Sequence, residues 1–404
     1  MTDSRRDIVI IGGGIVGLAV ALEITKRFPR LRLLLLEKED RVGQHQSSHN
    51  SGVIHSGVYY QPGSLKARLC VEGARAMIEF CRAHDILHQV CGKVIVAVHQ
   101  QEFPRLEELR RRGEVNGLTG LQMIGPEQLR EIEPYASGLR ALVVPSTGIT
   151  DYALVCEKYA ELIRAQGGTI LTSTAVTGLR HLTSEVVVET SGPSFSTNYL
   201  INCAGLFSDR IAGMAGGRPD VIIVPFRGEY YHLISQRSSL VRALIYPVPD
   251  PQFPFLGVHF TRRVSGTVDA GPNAVLAFRR EGYRQTDFNL RDLASSLAFP
   301  GFWRMTAKHW RSGLDEFHRS FSKPAFVRAL QRLLPELRAE DLIPGGSGVR
   351  AQALRRDGTL IDDFQFVPSG RILHVLNVPS PAATASLVIG RTIVSTAVDR
   401  SGLQ

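Results

Sequence analysis

Three glycines in the spacing G-x-G-x-x-G lie between two apolar runs near the start of the chain. Gly12, Gly14 and Gly17 follow the apolar run 7–11 and precede a helix-like run. Glycine permits a tight turn and a close approach to a pyrophosphate, which the free N–H groups of the following helix can bind. Glu37, twenty residues beyond Gly17, can accept hydrogen bonds from ribose hydroxyls. The pattern predicts a dinucleotide site; a glycine-rich turn without a ligand is the alternative.

The glycine pattern does not separate FAD from NAD, because both contain an ADP half. Two later segments favour FAD. The apolar run 200–203 leads into Gly205, a second close approach of the kind that flavoprotein folds use beside the dinucleotide. The segment 377–384, with Ser380 and Ala382, opens a final helix whose N-terminus can stabilise negative charge on a reduced flavin ring. A well-capped helix without that role is the alternative.

Residues 48–60 form a loop rich in serine, glycine and histidine, called the histidine loop below. Its small residues let the backbone pass close to a flat ring, so Asn50 and Ser51 are candidates for contact with the cofactor. His55 has an unperturbed pKa near ~6.5 and can act as a general base. His259, in a later apolar segment, is the rival base. A hydrogen-bonded structural role is the alternative for His55.

Four arginines lie in apolar or glycine-rich surroundings: Arg227, Arg262, Arg279 and Arg350. A guanidinium binds a carboxylate through two parallel hydrogen bonds, so two such residues would suit a dicarboxylate substrate. Internal salt bridges are the alternative for at least half of them.

A segment near residue 305 combines basic and aromatic side chains. This composition on a helix predicts contact with a membrane interface, and an ordinary solvated helix packed by its tryptophans is the alternative. The residues concerned are Phe302, Trp303, Arg304, Lys308, Trp310 and Arg311.

The elements that must position these residues alternate between strands and helices. The predicted fold class is α/β, with a discontinuous Rossmann-like FAD-binding domain and an antiparallel-sheet substrate domain that also carries helices. The FAD-binding domain is predicted from 1–90, 151–216 and 345–404, and the substrate domain from 91–150 and 217–344. Strands are predicted at 7–11, 31–36, 93–98, 169–172, 186–189, 199–203 and 372–376, with an antiparallel region at 221–265, and helices at 18–28, 64–84, 102–112, 151–166, 291–334 and 382–398.

Composition excludes several classes of protein. With 404 residues, 44% hydrophobic and 21% charged, the chain is neither disordered nor fibrous. Its five cysteines contain no C-x-x-C pair, which argues against a zinc site and favours a reducing compartment. The polar start, 1–7, predicts no cleavable signal peptide, and no uncharged apolar run reaches the ~18 residues of a membrane span.

The net charge of +9 is compatible with nucleic acid, an anionic membrane or an acidic substrate. Between Arg284 and Arg338 there are ten Lys and Arg against five Asp and Glu. No motif of a nucleic-acid-binding module accompanies this excess, so no nucleic-acid partner is predicted.

Longer segments match a known family. The most specific are 49–60 and the proline-rich 246–251; the others are 12–17, 91–93, 202–205, 225–231, 271–274, 349–353 and 379–384. From about residue 6 to 395 the chain resembles the L-2-hydroxyglutarate oxidase/dehydrogenase family of the D-amino-acid-oxidase-like superfamily. The chain departs slightly from the family pattern at Ser47-Ser48, where Thr-Gly is usual, and at Ser347, where Ala is usual. Each change replaces one small residue by another.

The resemblance implies an FAD enzyme that oxidises L-2-hydroxyglutarate to 2-oxoglutarate, with hydride passing from C2 to flavin N5 and electrons then reaching a quinone or oxygen. For this reaction His55 is the preferred base, because its loop follows the first β-α-β unit and is expected to run along the flavin, and His259, on the sheet expected to cover the ring, is the reserve. Arg262 and Arg350 are expected to hold the two carboxylates, and Tyr59 to add a hydrogen bond.

Two alternatives remain open at this point. One is a related FAD oxidase or dehydrogenase of an amine or a glycerol-3-phosphate-like substrate; the other is a protein that keeps FAD only as a structural element. The expected partners are a small dicarboxylate and the electron acceptor, without a metal. A cytoplasmic location is expected, with peripheral contact at the cytoplasmic face of the inner membrane left open.

Overall fold

Two large β-sheets organise the chain in the computed structural model, which describes residues 4–217, 220–250 and 256–401. Of the proline-rich segment 246–251, Pro251 lies outside these residues. The strands within the described residues are β1 (Arg5–Ile11), β2 (Leu33–Leu36), β3 (Val53–Ile54), β4 (His88–Gln89), β5 (Lys93–Ala97), β6 (Gln122–Ile124), β7 (Arg140–Val144), β8 (Gly148–Thr150), β9 (Thr169–Leu171), β10 (Val176–His181), β11 (Val186–Thr190), β12 (Phe195–Asn202), β13 (Val221–Leu233), β14 (Leu244–Pro247), β15 (His259–Arg262), β16 (Val268–Gly271), β17 (Val275–Leu276), β18 (Leu342–Arg355), β19 (Gln365–Ser369) and β20 (Ile372–Asn377).

Helices cover the faces of these sheets. Within the described part of the chain they are α1 (Ile15–Arg27), α2 (Leu65–Ala83), α3 (Phe103–Val115), α4 (Pro126–Ile132), α5 (Tyr152–Ala165), α6 (Ser208–Met214), α7 (Leu290–Leu297), α8 (Pro300–Phe321), α9 (Lys323–Gln331) and α10 (Ser386–Ser401).

The first sheet has a parallel centre. β1 pairs in parallel with β12 and β2, β12 pairs in parallel with β20, and β2 with β9. The antiparallel strands β10, β11 and β19 extend it. Ile8 and Ile10 pack in a core with α1, α2, α5 and α10, whereas Val9 and Ile11 pack in a separate core on the opposite face. Both faces are therefore buried, which explains the unbroken apolar run.

The second sheet is mostly antiparallel, with the order β17-β13-β16-β15-β14-β5-β7-β6 and β18 paired to β13. The pair β14 and β5 is its parallel exception. Helix α9 packs on one face, where Phe260 and Leu330 belong to one core, and α3 packs near Tyr246 in another core. A small sheet of β3, β8 and β4 lies apart from both. The predicted α/β class, with one Rossmann-like and one antiparallel sheet, is confirmed.

One predicted helix agrees closely with the structure and two differ from it. Helix α2 agrees closely with 64–84, because the Ser64 hydroxyl accepts a hydrogen bond from the Ala67 N–H and caps its start. The helix predicted at 291–334 is three helices, α7 to α9. The helix predicted at 382–398 begins only at Ser386, and residues 380–385 form turns.

Strand β18 was not predicted, because its sequence is rich in glycine and resembles a loop. It pairs with β13 over most of its length in the second sheet. A domain boundary at residue 345 would divide this strand, and the predicted boundaries stay predictions.

None of the helices in the described residues is long and apolar enough to cross a membrane.

Candidate active site

A cavity of ≈ 1270 Å³ runs between the two sheets and is lined by residues of both. Its wall includes nearly all of the predicted site residues. Those lining it are Gly12, Gly14, Glu37, Asn50, Ser51, His55, Tyr59, Gly205, His259, Arg350, Ser380 and Ala382. Gly17 and Arg262 are not among the lining residues.

The three glycines have different roles at one end of the cavity. Gly12 has a φ of +107°, and a Cβ there would lie 2.4 Å from the Cys203 carbonyl oxygen. A Cβ at Gly17 would lie 2.0 Å from the Gly12 carbonyl oxygen, so Gly17 permits the turn itself. Gly14 borders the cavity, and a Cβ there would meet only the Ser47 hydroxyl oxygen, at 3.4 Å. The missing side chain at Gly14 therefore leaves space for a ligand, whereas those at Gly12 and Gly17 leave space for the backbone.

Helix α1 begins at this turn. The Ile15 N–H donates to the Ser47 hydroxyl, 2.8 Å away. Glu37 lies at the end of β2, and its carboxylate accepts hydrogen bonds from the N–H groups of Gly13 (2.7 Å) and Glu39 (2.9 Å). Each carboxylate oxygen has a further lone pair with which to accept a ribose hydroxyl.

Asn50 holds the histidine loop in shape. Its amide nitrogen donates to the carbonyls of Gln46 and Ser47, and its amide oxygen accepts from the Gly52 N–H. The side chain of Asn50 is thus engaged within the loop, while the residue still borders the cavity.

Ser380 and Ala382 also border the cavity, but they do so from turns. Because α10 begins only at Ser386, the expected helix N-terminus at Ala382 is wrong. Thr384, in the same turns, accepts a hydrogen bond from the His55 N–H at 3.1 Å. The turns therefore position the histidine loop.

His55 and His259 both border the cavity. The Nδ1–H of His259 donates to the Gly257 carbonyl at 2.8 Å, and since a carbonyl only accepts, Nε2 is the acceptor of the neutral ring. The His55 Nδ1 is buried without a hydrogen-bond partner among the described residues.

Both histidines are neutral near pH 7. Burial, with the nearby charges of Lys93 and His259, lowers the pKa of His55 to about 3. Burial is also the main reason that the pKa of His259 falls to about 4, with the Arg350 guanidinium contributing. An unprotonated imidazole is the form that can accept a proton.

Arg262 does not reach the cavity, because side chains on a strand alternate between its faces. In β15, His259 faces the cavity and its ring packs against Tyr246 at 3.9 Å between centroids. Phe260 packs in the core on the opposite face, and Arg262 shares that side. Its guanidinium donates to the Val241 carbonyl at 3.3 Å. The sequence expectation for Arg262 as a carboxylate ligand therefore lacks support.

The other three arginines differ in their surroundings, and the internal salt bridge expected as the alternative is found at Arg227. Arg227 forms an ion pair with Glu229 at 2.9 Å, and Arg279 is exposed. Arg350, on β18, does border the cavity.

Sequence reasoning missed other polar residues in and behind the cavity wall. Tyr246 and Tyr230 border the cavity, and so does Lys66, whose ammonium pairs with Asp362 at 2.7 Å. Lys93 is buried behind two tyrosines of the wall. The one sequence signal for Lys93 was a lysine at the start of an otherwise apolar strand.

The residues that line the cavity suit a dinucleotide such as FAD. One end offers the open space at Gly14 beside the N-terminus of α1. The other end holds buried polar atoms without partners among the described residues, the His55 Nδ1 and the Tyr59 hydroxyl. Such atoms indicate a site that a polar ligand completes.

Comparison with known proteins agrees with this geometry. A profile of the family described as FAD dependent oxidoreductase matches residues 7–396. A protein named L-2-hydroxyglutarate dehydrogenase from Indibacter alkaliphilus is 51% identical, over 97% of this chain and 99% of that protein. The human protein of that name, described as mitochondrial, is 46% identical over 96% of this chain and 88% of its own length.

Solved structures share the fold. L-alpha-glycerophosphate oxidase from Mycoplasma pneumoniae, with FAD bound, superposes with a TM-score of 0.79 at 22% identity, over 97% of this chain and 94% of that one. Glycine oxidase from Geobacillus kaustophilus gives 0.71 at 19% identity, over 98% and 95%. Over nearly its whole length, therefore, the chain belongs to the FAD dependent oxidoreductase family, as an enzyme that uses FAD and groups with proteins named L-2-hydroxyglutarate dehydrogenase.

Proposed function

We propose that the protein oxidises L-2-hydroxyglutarate to 2-oxoglutarate with FAD as the first electron acceptor. The observation that carries this proposal is the 51% identity, over 97% of the chain, to a protein named for that substrate. The cavity supports it chemically, because neutral histidines and the Arg350 guanidinium border the same space.

Oxidation of a secondary alcohol requires a base for the hydroxyl proton. When bound, FAD supplies the acceptor for the hydride that leaves C2. His259 is our choice for the base, since the Gly257 carbonyl fixes its tautomer and leaves Nε2 to accept the proton. This reverses the preference from sequence for His55, which is the second candidate.

Arg350 is the proposed ligand of one substrate carboxylate. Its planar guanidinium can bind both carboxylate oxygens at once and thereby orient C2. Tyr59, whose hydroxyl is buried without a partner among the described residues, is proposed to donate a further hydrogen bond.

The cofactor is proposed to lie along the opposite part of the cavity. Gly12, Gly14 and the N-terminus of α1 would hold the pyrophosphate, with Gly17 permitting their turn, and Glu37 would hold the ribose. The remaining proposed contacts are Asn50, Ser51, Gly205, Ser380 and Ala382.

Helix α8 supports a proposal about the electron acceptor. Trp303, Trp310, Leu314 and Phe321 are exposed by 57, 51, 60 and 75% of their surface. Helical geometry is interrupted at His309 (φ −120°, ψ 18°), which separates Trp303 from the others. Trp310, Leu314 and Phe321 follow that break at separations of 4 and 7 residues and lie on one helix face. Phe302 and Met305 belong to the core. Trp303 packs edge-on against Phe302 and donates its indole N–H to the Leu297 carbonyl, but more than half of its surface stays exposed.

We propose that these exposed side chains of α8 contact an anionic membrane surface. Arg304, Lys308 and Arg311 lie next to these apolar side chains in the sequence, and such a combination of apolar and basic side chains suits lipid headgroups. A quinone is then the proposed physiological acceptor, with oxygen as the other candidate.

The substrate proposal is tested by anaerobic flavin reduction. We expect L-2-hydroxyglutarate to bleach the visible absorption band of the oxidised flavin, and its D-enantiomer, glycine and glycerol-3-phosphate to leave it unchanged. Bleaching by glycine or glycerol-3-phosphate alone would support the alternative enzymes instead. Yellow protein that no substrate bleaches would support a structural flavin.

Gly14→Val should abolish FAD retention. Valine would occupy the space that the structure leaves beside α1, where, apart from the adjoining residues of the chain, an added Cβ would meet only the Ser47 hydroxyl within 4 Å. The folded apoprotein should form, as measured by circular dichroism and thermal melting. Gly17→Ala is the contrasting variant and should fail to fold, because its Cβ would clash with the Gly12 carbonyl. Normal flavin content in Gly14→Val would exclude this turn as the pyrophosphate site.

His259→Gln should slow flavin reduction by about 10²–10⁴-fold with FAD still bound, the usual loss on removing a general base. In the wild type, the reduction rate should fall as the pH drops towards about 4, because the pKa of His259 is lowered to about 4 and only the neutral ring accepts a proton. Stopped-flow absorbance measures both. If His55→Gln is slow and His259→Gln is normal, the base is His55; normal rates in both variants would leave the mechanism without a base.

The double variant Trp303→Ser/Trp310→Ser should lose binding to vesicles that contain phosphatidylglycerol. Binding of the wild type, measured by co-sedimentation, should weaken as salt screens the basic side chains. Leu154→Ser on α5, which changes a side chain exposed by 43%, is the matched control. Equal binding by the double variant, or by the wild type to phosphatidylcholine alone, would refute this surface.

A further inference from the structure

Lys93 is a buried cation to which the mechanism above gives no role. It is the first residue of β5, and its side chain is 2% exposed. Within residues 4–217, 220–250 and 256–401 its ammonium has no hydrogen-bond partner. An ammonium carries three donors, and burying it without acceptors is costly, so such lysines are rare in protein interiors.

The ammonium lies against the rings of two tyrosines. Its Nζ is 4.4 Å from the ring centroid of Tyr59 and 5.0 Å from that of Tyr246. Both tyrosines border the cavity. An aromatic face stabilises a cation, but it carries no net charge and leaves the positive charge uncancelled. The charge of Lys93 therefore acts on the cavity across one layer of side chains.

The titratable groups that face Lys93 include no carboxylate among the described residues. One is a thiol, two are phenols and two are imidazoles, and the imidazoles are neutral near pH 7. These groups are Cys70 from α2, His55 and Tyr59 from the histidine loop, Tyr246 from β14 and His259 from β15.

We propose that Lys93 is a positioning residue that makes this end of the cavity favour a substrate with two carboxylates over one with a single carboxylate. It acts through Tyr59 and Tyr246, behind which its ammonium supplies a positive charge that no carboxylate among the described residues neutralises. The inference rests on the proposed function, in which the substrate is a dianion. Lys93 also supplies the positive charge that Arg262 was expected to provide for a carboxylate, since Arg262 lies on the opposite face of the sheet.

The protonation of Lys93 gives this role a pH signature. Burial lowers the pKa of Lys93 to about 7, so the ammonium is present below that pH and is lost above it. The neighbours titrate elsewhere, since the pKa of Cys70 is raised to about 12 and those of His55 and His259 are lowered to about 3 and 4. Affinity for a dianion should therefore decline above pH 7, because Lys93 loses its positive charge there.

The test compares the holoenzyme with Lys93→Met and Lys93→Arg. Two ligands are titrated by the perturbation of the flavin spectrum: 2-oxoglutarate and 2-oxopentanoate, which replaces the distal carboxylate by a methyl group. The pH dependence of kcat/KM for L-2-hydroxyglutarate is measured in parallel. Lys158→Met on α5, which breaks an exposed pair with Glu161, is the control for loss of a lysine charge.

In Lys93→Met we expect the Kd of 2-oxoglutarate to rise about 10-fold at pH 6, a modest loss for a charge so near the site, and that of 2-oxopentanoate to stay the same. The decline of kcat/KM above pH 7 should disappear. In Lys93→Arg, whose guanidinium does not titrate in this range, affinity should remain high and the decline should also disappear. A merely structural lysine would not produce this combination.

Wild-type affinity for both ligands in Lys93→Met, or an unchanged alkaline decline, would overturn the inference. If L-2-hydroxyglutarate fails to reduce the wild-type flavin, the proposed function fails first, and the two failures are thus distinguishable. Should Lys93→Met not yield holoenzyme, Lys93→Gln serves with the same expected results.

Discussion

Contact of backbone against backbone is the constraint on which the cavity depends. The carbonyl oxygen of Gly12 lies where a Cβ of Gly17 would stand, and the carbonyl oxygen of His49 lies 2.4 Å from where a Cβ of Gly348 would be. The first contact forms the turn beneath one end of the cavity, and the second seats the histidine loop against β18. Because no side chain separates these segments, small shifts in either sheet are transmitted directly to the residues of the wall.

The elements predicted well from sequence are those whose boundaries are set by residues nearby in the chain. The boundaries of the first β-α-β unit were predicted to within three residues and those of α2 to within one, since apolar runs, caps and glycines act over a few positions. Strand β18 was missed because Gly345, Gly346 and Gly348 favour a loop, and it becomes a strand only by pairing with β13. The start of α10 was misplaced because small residues after Pro381 suit a helix and a turn equally.

Site residues were likewise predicted where their signal is local in the sequence and missed where their position depends on distant residues. The cofactor glycines and the histidine loop were found from sequence, because their function requires residue types at fixed spacing. The choice of Arg262 failed, since the sequence does not show which residues of β15 face the cavity. Lys93 carried almost no signal, because its burial arises from Tyr59 and Tyr246, which are distant along the chain.

The order of segments in the first sheet has a consequence for biosynthesis. Its parallel centre needs β1 and β2 from the start of the chain, β12 from the middle and β20 from near the end. The cavity likewise draws its wall from Ile11 to Thr384. While the ribosome is still making residues 372–377, neither the sheet nor the pocket is complete. A flavin that needs the complete cavity would therefore be loaded late in synthesis, and the early apolar strands would stay unpaired and prone to aggregation until then.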